Sequence, residues 1–513
     1  MPTRDEAVPQ GQTGEDDMAH RKPPKSDCSI APHGCCPLLG RRQFLADAGK
    51  IGGAVFAFQT GLFQWSARKV LGAPIVPGGG QERPRFMVGF ARPDIERFFV
   101  APGAGYPLAE NQRLYSNILT GAAKDLDIVL DIEHAPLENA ETVDAFLRQK
   151  ADRAHGALLV HMGTRRNPEI RRFLDTRPNE LPTVVYGPQG TRTWMIDSAP
   201  RCFIGTTDNV HWLATALRTL KAQWQMANTR LAVIEGTQDR QETLDPLGVV
   251  IHRMPLEWLR QAMRDAEGSE EAREIAALCI ERAREIVEPS EEDILKAARN
   301  YVANRRLMEE TGVHAVTTDC LGLVREGDGS LVQCLAYCLL LDEGTCGACE
   351  KDIYPALALM LSSYLLGRPG FMSNPGIHTV TNKYCQYHCQ VPTRMDGFDK
   401  PPHPYRIRPH HETQQGVTLQ IDFRENQPVT LLRFLSSGTL GVDTGVIRRS
   451  MRPEHHEDGI GGCQNGFTMT VDGVDDVRHV NILTHPVMVY GTHRQALRAW
   501  CEVAGITLQR LLL

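Results

Sequence analysis

The chain has 513 residues, of which 42% are hydrophobic and 23% charged, as in ordinary globular proteins, and this length predicts several domains rather than one core. The formal net charge of −6 provides no basic surface field, so a nucleic-acid partner is not expected. Beyond residue 75, no stretch is long and apolar enough to predict a membrane span.

The first 82 residues predict a leader rather than a folded domain. Residues 1–39 are polar and lack periodicity, so we expect a disordered segment. The run Gly40-Arg41-Arg42-Gln43-Phe44-Leu45 resembles a twin-arginine export signal, and the linker that follows extends to residue 82. This predicts a periplasmic or extracytoplasmic protein with no stable membrane association after export. The alternative is an amphipathic N-terminal helix and a cytoplasmic protein.

From residue 83 to 367, short apolar runs alternate with segments of helical periodicity. This order is typical of α/β folds with a doubly wound parallel sheet, and we predict two such domains, 83–195 and 196–367. The predicted strands are 85–90, 127–131, 156–161, 181–186, 230–236, 314–320 and 346–349. The predicted helices are 111–124, 137–151, 211–226, 255–266, 290–310, 331–341 and 353–366, and the charged segment 267–288 is also expected to be helical.

The pattern changes after residue 367. Strands of a mainly antiparallel kind, separated by glycine-rich turns, predict a β-rich C-terminal domain over 368–513. These strands are 384–389, 417–423, 429–434, 469–472 and 487–491, and the helix 494–502 follows them.

The junction after strand 346–349 is the most informative segment. Asp352 can cap the apolar helix that follows, and Pro355 is tolerated only in a first turn. Glu350 lies at the head of this buried helix, where an acid needs a partner or a metal ion. The structural alternative is a capping acid paired with an arginine. Asp319 leaves the preceding strand in the same way and is a candidate substrate contact.

The segment CEKDIYPALALMLSSYLLGRPGFM resembles the metal-site segment of the L-fucose/L-arabinose isomerase family. That family places a second acid about two dozen residues after the glutamate, and here 374 − 350 = 24 falls on Asn374. His388 and His485 follow in the expected order. The resemblance extends over roughly residues 300–513.

The resemblance implies a metal-dependent aldose–ketose isomerase that moves a proton between C1 and C2 of a sugar through an enediol. Glu350, Asn374 and His485 are then the metal ligands, and Glu350 and Asn374 occupy the catalytic positions. His388 and Asp319 are the substrate-binding candidates. The cofactor is Mn²⁺ or Mg²⁺, and the assembly is a homo-oligomer. Asn374 departs from the family, because an amide oxygen ligates without charge and cannot act as a base.

Two other functions remain open from the sequence. Asn374 and the export signal are compatible with a non-catalytic or degenerate sugar-binding protein of the same fold. The spacing Cys346-x2-Cys349, with Cys385, Cys389 and His388, instead allows a Cys/His zinc or redox protein.

Overall fold

The computed structural model describes residues 71–77, 83–100, 103–163, 167–325, 329–453 and 463–512. The predicted leader 1–39 and the twin-arginine segment lie outside the described residues. Residues 71–77 belong to the predicted linker, yet Leu71 is buried and the Gly72 N–H donates to the Tyr301 hydroxyl at 3.2 Å. This part of the segment therefore packs on the folded chain.

In the described residues the strands alternate with helices up to residue 372 and predominate after it. The strands are β1 (Arg85–Ala91), β2 (Arg97–Val100), β3 (Ala104–Pro107), β4 (Val129–Ile132), β5 (Gly156–His161), β6 (Thr183–Gly187), β7 (Cys202–Thr206), β8 (Arg230–Ile234), β9 (Arg240–Leu244), β10 (Val249–Met254), β11 (Glu285–Ile286), β12 (Ala315–Thr318), β13 (Cys346–Cys349), β14 (Phe371–Met372), β15 (Asn374–His378), β16 (Lys383–His388), β17 (Tyr405–Arg408), β18 (Thr418–Ile421), β19 (Pro428–Ser436), β20 (Thr439–Met451), β21 (Asn465–Val471), β22 (Val487–Tyr490) and β23 (Thr507–Gln509).

The helices are α1 (Leu108–Asp125), α2 (Ala140–Lys150), α3 (Asn167–Thr176), α4 (Trp212–Ala227), α5 (Leu256–Asp265), α6 (Glu270–Arg282), α7 (Glu291–Thr311), α8 (Cys320–Arg325), α9 (Cys334–Glu343), α10 (Ile353–Leu361) and α11 (Arg494–Ala504). No described helix combines the length and the apolar character that crossing a membrane requires.

The first sheet is parallel, with strand order β4-β1-β5-β6-β7. Successive residues of β1 face opposite layers: Phe86 and Val88 pack in one apolar cluster and Met87 in another. Helices therefore cover both faces, as the alternating pattern predicts. The sheet includes β7, so it continues beyond the domain boundary predicted at residue 195.

The second sheet has the order β13-β12-β8-β10-β9 and is parallel except for its edge strand β9. Its core is continuous with that of an antiparallel sheet near the C-terminus. That sheet has the order β14-β22-β19-β20-β21-β16-β15, and β23 pairs with β20. The prediction of a mixed α/β fold with a β-rich C-terminal region is confirmed.

Local sequence rules account for the elements that carry the site. Ser290 caps α7 in a reciprocal arrangement with Asp293, as its position before an acidic first turn predicts. Asp352 caps α10 by accepting from the Tyr354 N–H at 3.3 Å. A π-helical turn, Ser362–Leu366, prolongs α10 until Gly367 ends it at a φ of 65°.

Candidate metal centre

Three neighbouring strands of the second sheet are each followed by an acidic residue. Glu235 follows β8, Asp319 follows β12 and Glu350 follows β13. Parallel strands end at the same edge of a sheet, where ligands bind in open α/β folds. The Lys351 ammonium lies between two of these acids, 3.1 Å from Asp319 Oδ2 and 3.7 Å from Glu235 Oε2. The negative charges of Asp319 and Glu235 are therefore partly neutralised by the Lys351 ammonium. The Glu350 side chain instead faces residues of the C-terminal region.

The backbone at this point is held in an unusual conformation. Glu350 and Lys351 have φ values of 60° and 47°, and His485 has 54°. A residue with a Cβ loses roughly 1–2 kcal/mol in the left-handed region. Such strain persists only where the surrounding structure enforces it, and it concentrates at functional sites. Here it occurs at Glu350 and His485, whose side chains lie 3.3 Å apart.

Glu350, His388 and His485 form a group whose ligand atoms all lie within 4.8 Å of one another. His388 ends β16, and His485 lies just before β22, both in the antiparallel sheet. The Nε2 atoms of His388 and His485 lie 3.6 Å from Glu350 Oε1 and 3.3 Å from Glu350 Oε2, respectively. Among the described residues this is the one such group of three or more histidine, cysteine, aspartate or glutamate side chains. The predicted meeting of Glu350 and His485 is thus present.

The neutral form of His485 presents an unshared electron pair to this group. Its Nδ1 lies 2.9 Å from Asp352 Oδ2, so the ring proton is on Nδ1 and is donated to the carboxylate. The opposite nitrogen, Nε2, is buried and has no hydrogen-bond partner. In the neutral ring it is an acceptor that faces another acceptor, the Glu350 carboxylate. That contact is repulsive unless a proton or a metal ion lies between the two atoms.

His388 is oriented less favourably for a metal ion. Its Nε2 is also buried without a hydrogen-bond partner. However, its Nδ1 accepts from the Gln390 N–H at 3.3 Å, which places the proton of the neutral ring on Nε2. Ligation through Nε2 requires that proton to leave Nε2. While the proton stays on Nε2, this N–H can donate to an oxygen of a bound substrate. The His388 ring therefore also suits the substrate contact predicted from the sequence.

Asp352 has a second role that the sequence did not reveal. While Oδ1 caps α10, Oδ2 accepts from both His485 Nδ1 and Arg433 NH1, the latter at 3.2 Å. Arg433 also lies 3.4 Å from the His485 carbonyl oxygen. A carboxylate that receives the N–H of a ligating imidazole sets both its orientation and its basicity. Asp352 is thus a positioning residue for His485 rather than a replacement for the second acid.

Gln390 connects the strands that carry Glu350 and His388. Its side-chain N–H donates to the Gly347 carbonyl at 2.6 Å, and its carbonyl oxygen accepts from the Cys349 thiol at 2.9 Å. Both partners belong to β13, immediately before Glu350. The Gln390 side chain is buried, so this pairing fixes the separation of the two sheets at the site. No local sequence signal distinguishes Gln390 from other loop glutamines.

The ionisation of the group is set by these contacts. The nearby His388 and His485 rings lower the pKa of Glu350 despite its partial burial. Burial lowers the pKa of His485, but the Asp352 and Glu350 carboxylates outweigh it and raise the value to about 9. Without a metal ion, a proton on His485 therefore occupies the position between the two acceptors.

The other two predicted residues, Asn374 and Asp319, have different local partners. Asn374 begins β15 and is paired with Tyr387, the neighbour of His388, and the Asn374 side chain makes no hydrogen bond to the group. Its role as a ligand stays a prediction. Asp319 accepts from the Gly322 N–H at 3.2 Å and binds Lys351, which gives it a local structural partner.

The cysteine spacing does not produce the predicted Cys/His set. Cys346 and Cys349 are three residues apart in β13, so their side chains leave opposite faces of the strand. The Cys346 thiol donates to the Ala356 carbonyl, whereas Cys349 contacts Gln390. Within the described residues, no cysteine joins a group that can share one ion.

The donors present fit a divalent cation. Nε2 of neutral His485, the ionised carboxylate of Glu350 and a second buried nitrogen, His388 Nε2, lie within 4.8 Å of one another. Two imidazoles and one carboxylate are found around catalytic Zn²⁺ and non-haem Fe²⁺ as well as Mn²⁺, so the donor types alone do not select the ion. No protein-family model matches the chain, and its sequence matches no curated protein. The assignment of a metal centre is therefore based on the geometry of Glu350, His388 and His485.

Proposed function

We propose that the chain is a metal-dependent aldose–ketose isomerase whose ion binds at Glu350, His388 and His485. The observation that carries this proposal is the convergence of Glu350, His388 and His485, whose ligand atoms all lie within 4.8 Å of one another. Two nitrogen donors among three favour Mn²⁺ over Mg²⁺, which prefers oxygen ligands. The resemblance of the 349–372 segment to the isomerase family supplies the reaction class.

A divalent ion held by Glu350, His388 and His485 would polarise the carbonyl and the adjacent hydroxyl of an open-chain sugar, which would lower the cost of removing the proton from the hydroxyl-bearing carbon. In this chain, Glu350 provides the carboxylate that can hold such a proton, and the His388 N–H can donate to a sugar oxygen. Asp352 and Arg433 keep His485 in place. Lys351 holds Asp319 at the edge of the site, where it can meet the sugar hydroxyls.

A second candidate, a sugar-binding protein without isomerase activity, is favoured by one observation. Asp319 and Asp352 are each paired with a cation, and Asn374 occupies the place of the second acid. Glu350 is then the one described carboxylate of the centre without a Lys or Arg partner. A proton transfer that requires two acids would not proceed, although the metal ion and the sugar would still bind.

The finer architecture is part of the same proposal. We infer two doubly wound domains and a β-rich C-terminal domain, in a homo-oligomer exported by a twin-arginine signal. The continuity of the core between the second sheet and the antiparallel sheet supports a fixed arrangement of Glu350 and His485. Fractionation of cells that express the full chain, with and without Arg41→Lys and Arg42→Lys, tests export.

The central experiment measures metal content and isomerisation on the full-length protein. Purified chain is loaded separately with Mn²⁺, Mg²⁺, Zn²⁺ and Fe²⁺, and each affinity is measured by calorimetry. A panel of aldoses is then assayed for ketose product. We expect Zn²⁺ and Fe²⁺ to bind more tightly than Mn²⁺, as for any nitrogen and oxygen site, but the ketose product to form fastest with Mn²⁺. Mn²⁺ binding should be lost in Glu350→Gln.

The matched control is Glu343→Gln, which removes the charge of a buried glutamate outside the centre. Mn²⁺ binding without ketose product from any aldose supports the sugar-binding candidate. Binding of no divalent ion to folded protein would contradict both candidates.

A further inference from the structure

A pair of cysteines lies directly beside the metal centre. Cys389 follows His388, and its sulfur contacts the thiol of Cys463. The same two residues pack in a small apolar cluster with Cys334, separate from the main core. Both thiols are free in this structure.

The surrounding hydrogen bonds hold this pair in place. The Cys389 carbonyl accepts from Thr418 Oγ1 at 2.6 Å and from Asn465 Nδ2 at 3.0 Å. Asn465 is the strand partner of His388, and Cys463 lies two residues before it. On the other side, the His410 ring contacts the Cys389 sulfur. The two cysteines are therefore brought together by the same strand pairing that positions His388.

Accessibility separates this pair from the other thiols. Among the cysteines of the described residues, Cys463 is the one that is not fully buried. Cys320 and Cys349 also contact one another, but both are buried. A small reagent can thus reach Cys463 without unfolding of the core, whereas it cannot reach Cys320 or Cys349.

We propose that Cys389 and Cys463 form a reversible disulfide that controls the metal centre. The oxidant is a small-molecule disulfide. Cys463 attacks it, forms a mixed disulfide and releases one small thiol, and Cys389 then attacks the Cys463 sulfur and releases the second. Two protein thiols are oxidised and one small disulfide is reduced to two thiols, which carry away both protons.

The disulfide would alter the metal centre by moving the backbone of Cys389, which is bonded directly to His388. Two sulfurs in van der Waals contact must approach to about 2.05 Å when they bond. Cys389 moves with them, and His388 is its immediate neighbour. We expect His388 Nε2, the second nitrogen donor, to be displaced, so the crosslinked protein binds Mn²⁺ about tenfold more weakly, as when the support of a ligand is lost. This consequence rests on the proposed metal site.

The test uses full-length protein equilibrated with reduced and oxidised glutathione. Remaining thiols are alkylated, the protein is digested without reduction, and crosslinked peptides are identified by mass spectrometry. We expect a Cys389–Cys463 peptide that disappears on reduction and in Cys463→Ser. Cys501→Ser, which removes a buried thiol in α11, should retain it.

A crosslink between Cys320 and Cys349 instead, or the absence of any crosslink at Cys389, would overturn the proposal. Peptide mapping of the unmutated chain gives this result even if a variant misfolds. Equal Mn²⁺ affinity in reduced and crosslinked protein would overturn the control of the centre. Absence of Mn²⁺ binding in the reduced protein is a separate result, which refutes the proposed function and not the disulfide.

Discussion

Glu343 and Glu350 lie at opposite ends of the short segment that contains β13, and their surroundings differ. Glu343 receives Arg305 NH1 and the Tyr301 hydroxyl, each at 2.5 Å, so both carboxylate oxygens have a donor. Glu350 faces two imidazole nitrogens that have no hydrogen-bond partner. The first arrangement is complete without a ligand, whereas the second needs either a proton on His485 or a metal ion between the carboxylate and the ring.

The two glutamates also differ in ionisation. Burial raises the pKa of Glu343 to about 7, even with Arg305 and Tyr301 beside it. The His388 and His485 rings lower the pKa of Glu350, which is less buried. A carboxylate that stays ionised at low pH is suited to ligate a metal ion, and one that is nearly neutral is suited to a structural network. The comparison therefore separates a structural acid from a functional one.

The largest expected effect comes from removing His485. His485→Ala deletes the Nε2 atom that faces Glu350, and we expect Mn²⁺ affinity to fall roughly 100-fold or more. Loss of a residue that only supports a metal ligand costs about 10–100-fold, and loss of the ligand itself should cost at least as much. Calorimetry with the full chain measures it. Glu343→Gln should bind Mn²⁺ as the parent does. Equal Mn²⁺ affinities in His485→Ala and the parent would show that His485 is not a metal ligand.

The next effect tests the support of His485 by Asp352. Asp352→Asn keeps the size of the side chain but weakens the acceptor of the His485 N–H, so Mn²⁺ affinity should fall by about 10–100-fold. Circular dichroism checks that the fold is retained.

The chain offers a matched control for this variant. Asp396 accepts from His403 at 3.1 Å and from Arg424 at 2.6 Å, the same residue types in a different place. Asp396→Asn should leave the Mn²⁺ affinity unchanged. A similar loss in both variants would show a general effect on stability rather than a role at the centre.

The third prediction concerns stability and pH. The pKa of Glu343 rises from 4.5 to about 7 on folding, so the folded chain holds a proton that the unfolded chain has released. This stabilisation is complete below about pH 4.5 and is lost as the pH rises through about 7. The free energy of unfolding should therefore fall by about 2 kcal/mol between pH 5 and 7 from this group. Denaturant titrations measure it.

Glu343→Gln should remove this part of the pH dependence. Glu350→Gln should retain it, because the lowered pKa keeps Glu350 ionised in the folded chain throughout that interval and leaves Glu343 unchanged. An identical slope in the parent and Glu343→Gln would contradict the proposed ionisation of Glu343.

The smallest effect distinguishes the two histidines. His388→Ala should weaken Mn²⁺ binding by only about tenfold, because His388 Nδ1 already accepts from the Gln390 N–H and its Nε2 carries the proton. Calorimetry at a single pH compares the Mn²⁺ affinity of His388→Ala with that of His485→Ala. A larger loss in His388→Ala than in His485→Ala would reverse the assignment of their ring protons.

Much of the architecture follows from the sequence because its signals are local. The cap at Asp352 is predicted and confirmed, and the cap at Ser290 and the helix end at Gly367 likewise depend on residues within one helical turn. The long strand β20 was not predicted, because glycines and arginines interrupt its apolar alternation. Its pairing with β19 and β21 stabilises it instead.

The sequence by itself determined the order of strands and helices, the acidic residue at the end of β13 and the histidines that follow it. Only the tertiary structure decided that His485 meets Asp352 across 133 residues, that Cys389 meets Cys463, and that β15 sets Asn374 opposite Tyr387. The reason is physical: caps and periodicity act between neighbours along the chain. Contacts between distant residues depend on how two sheets pack, which no short segment specifies.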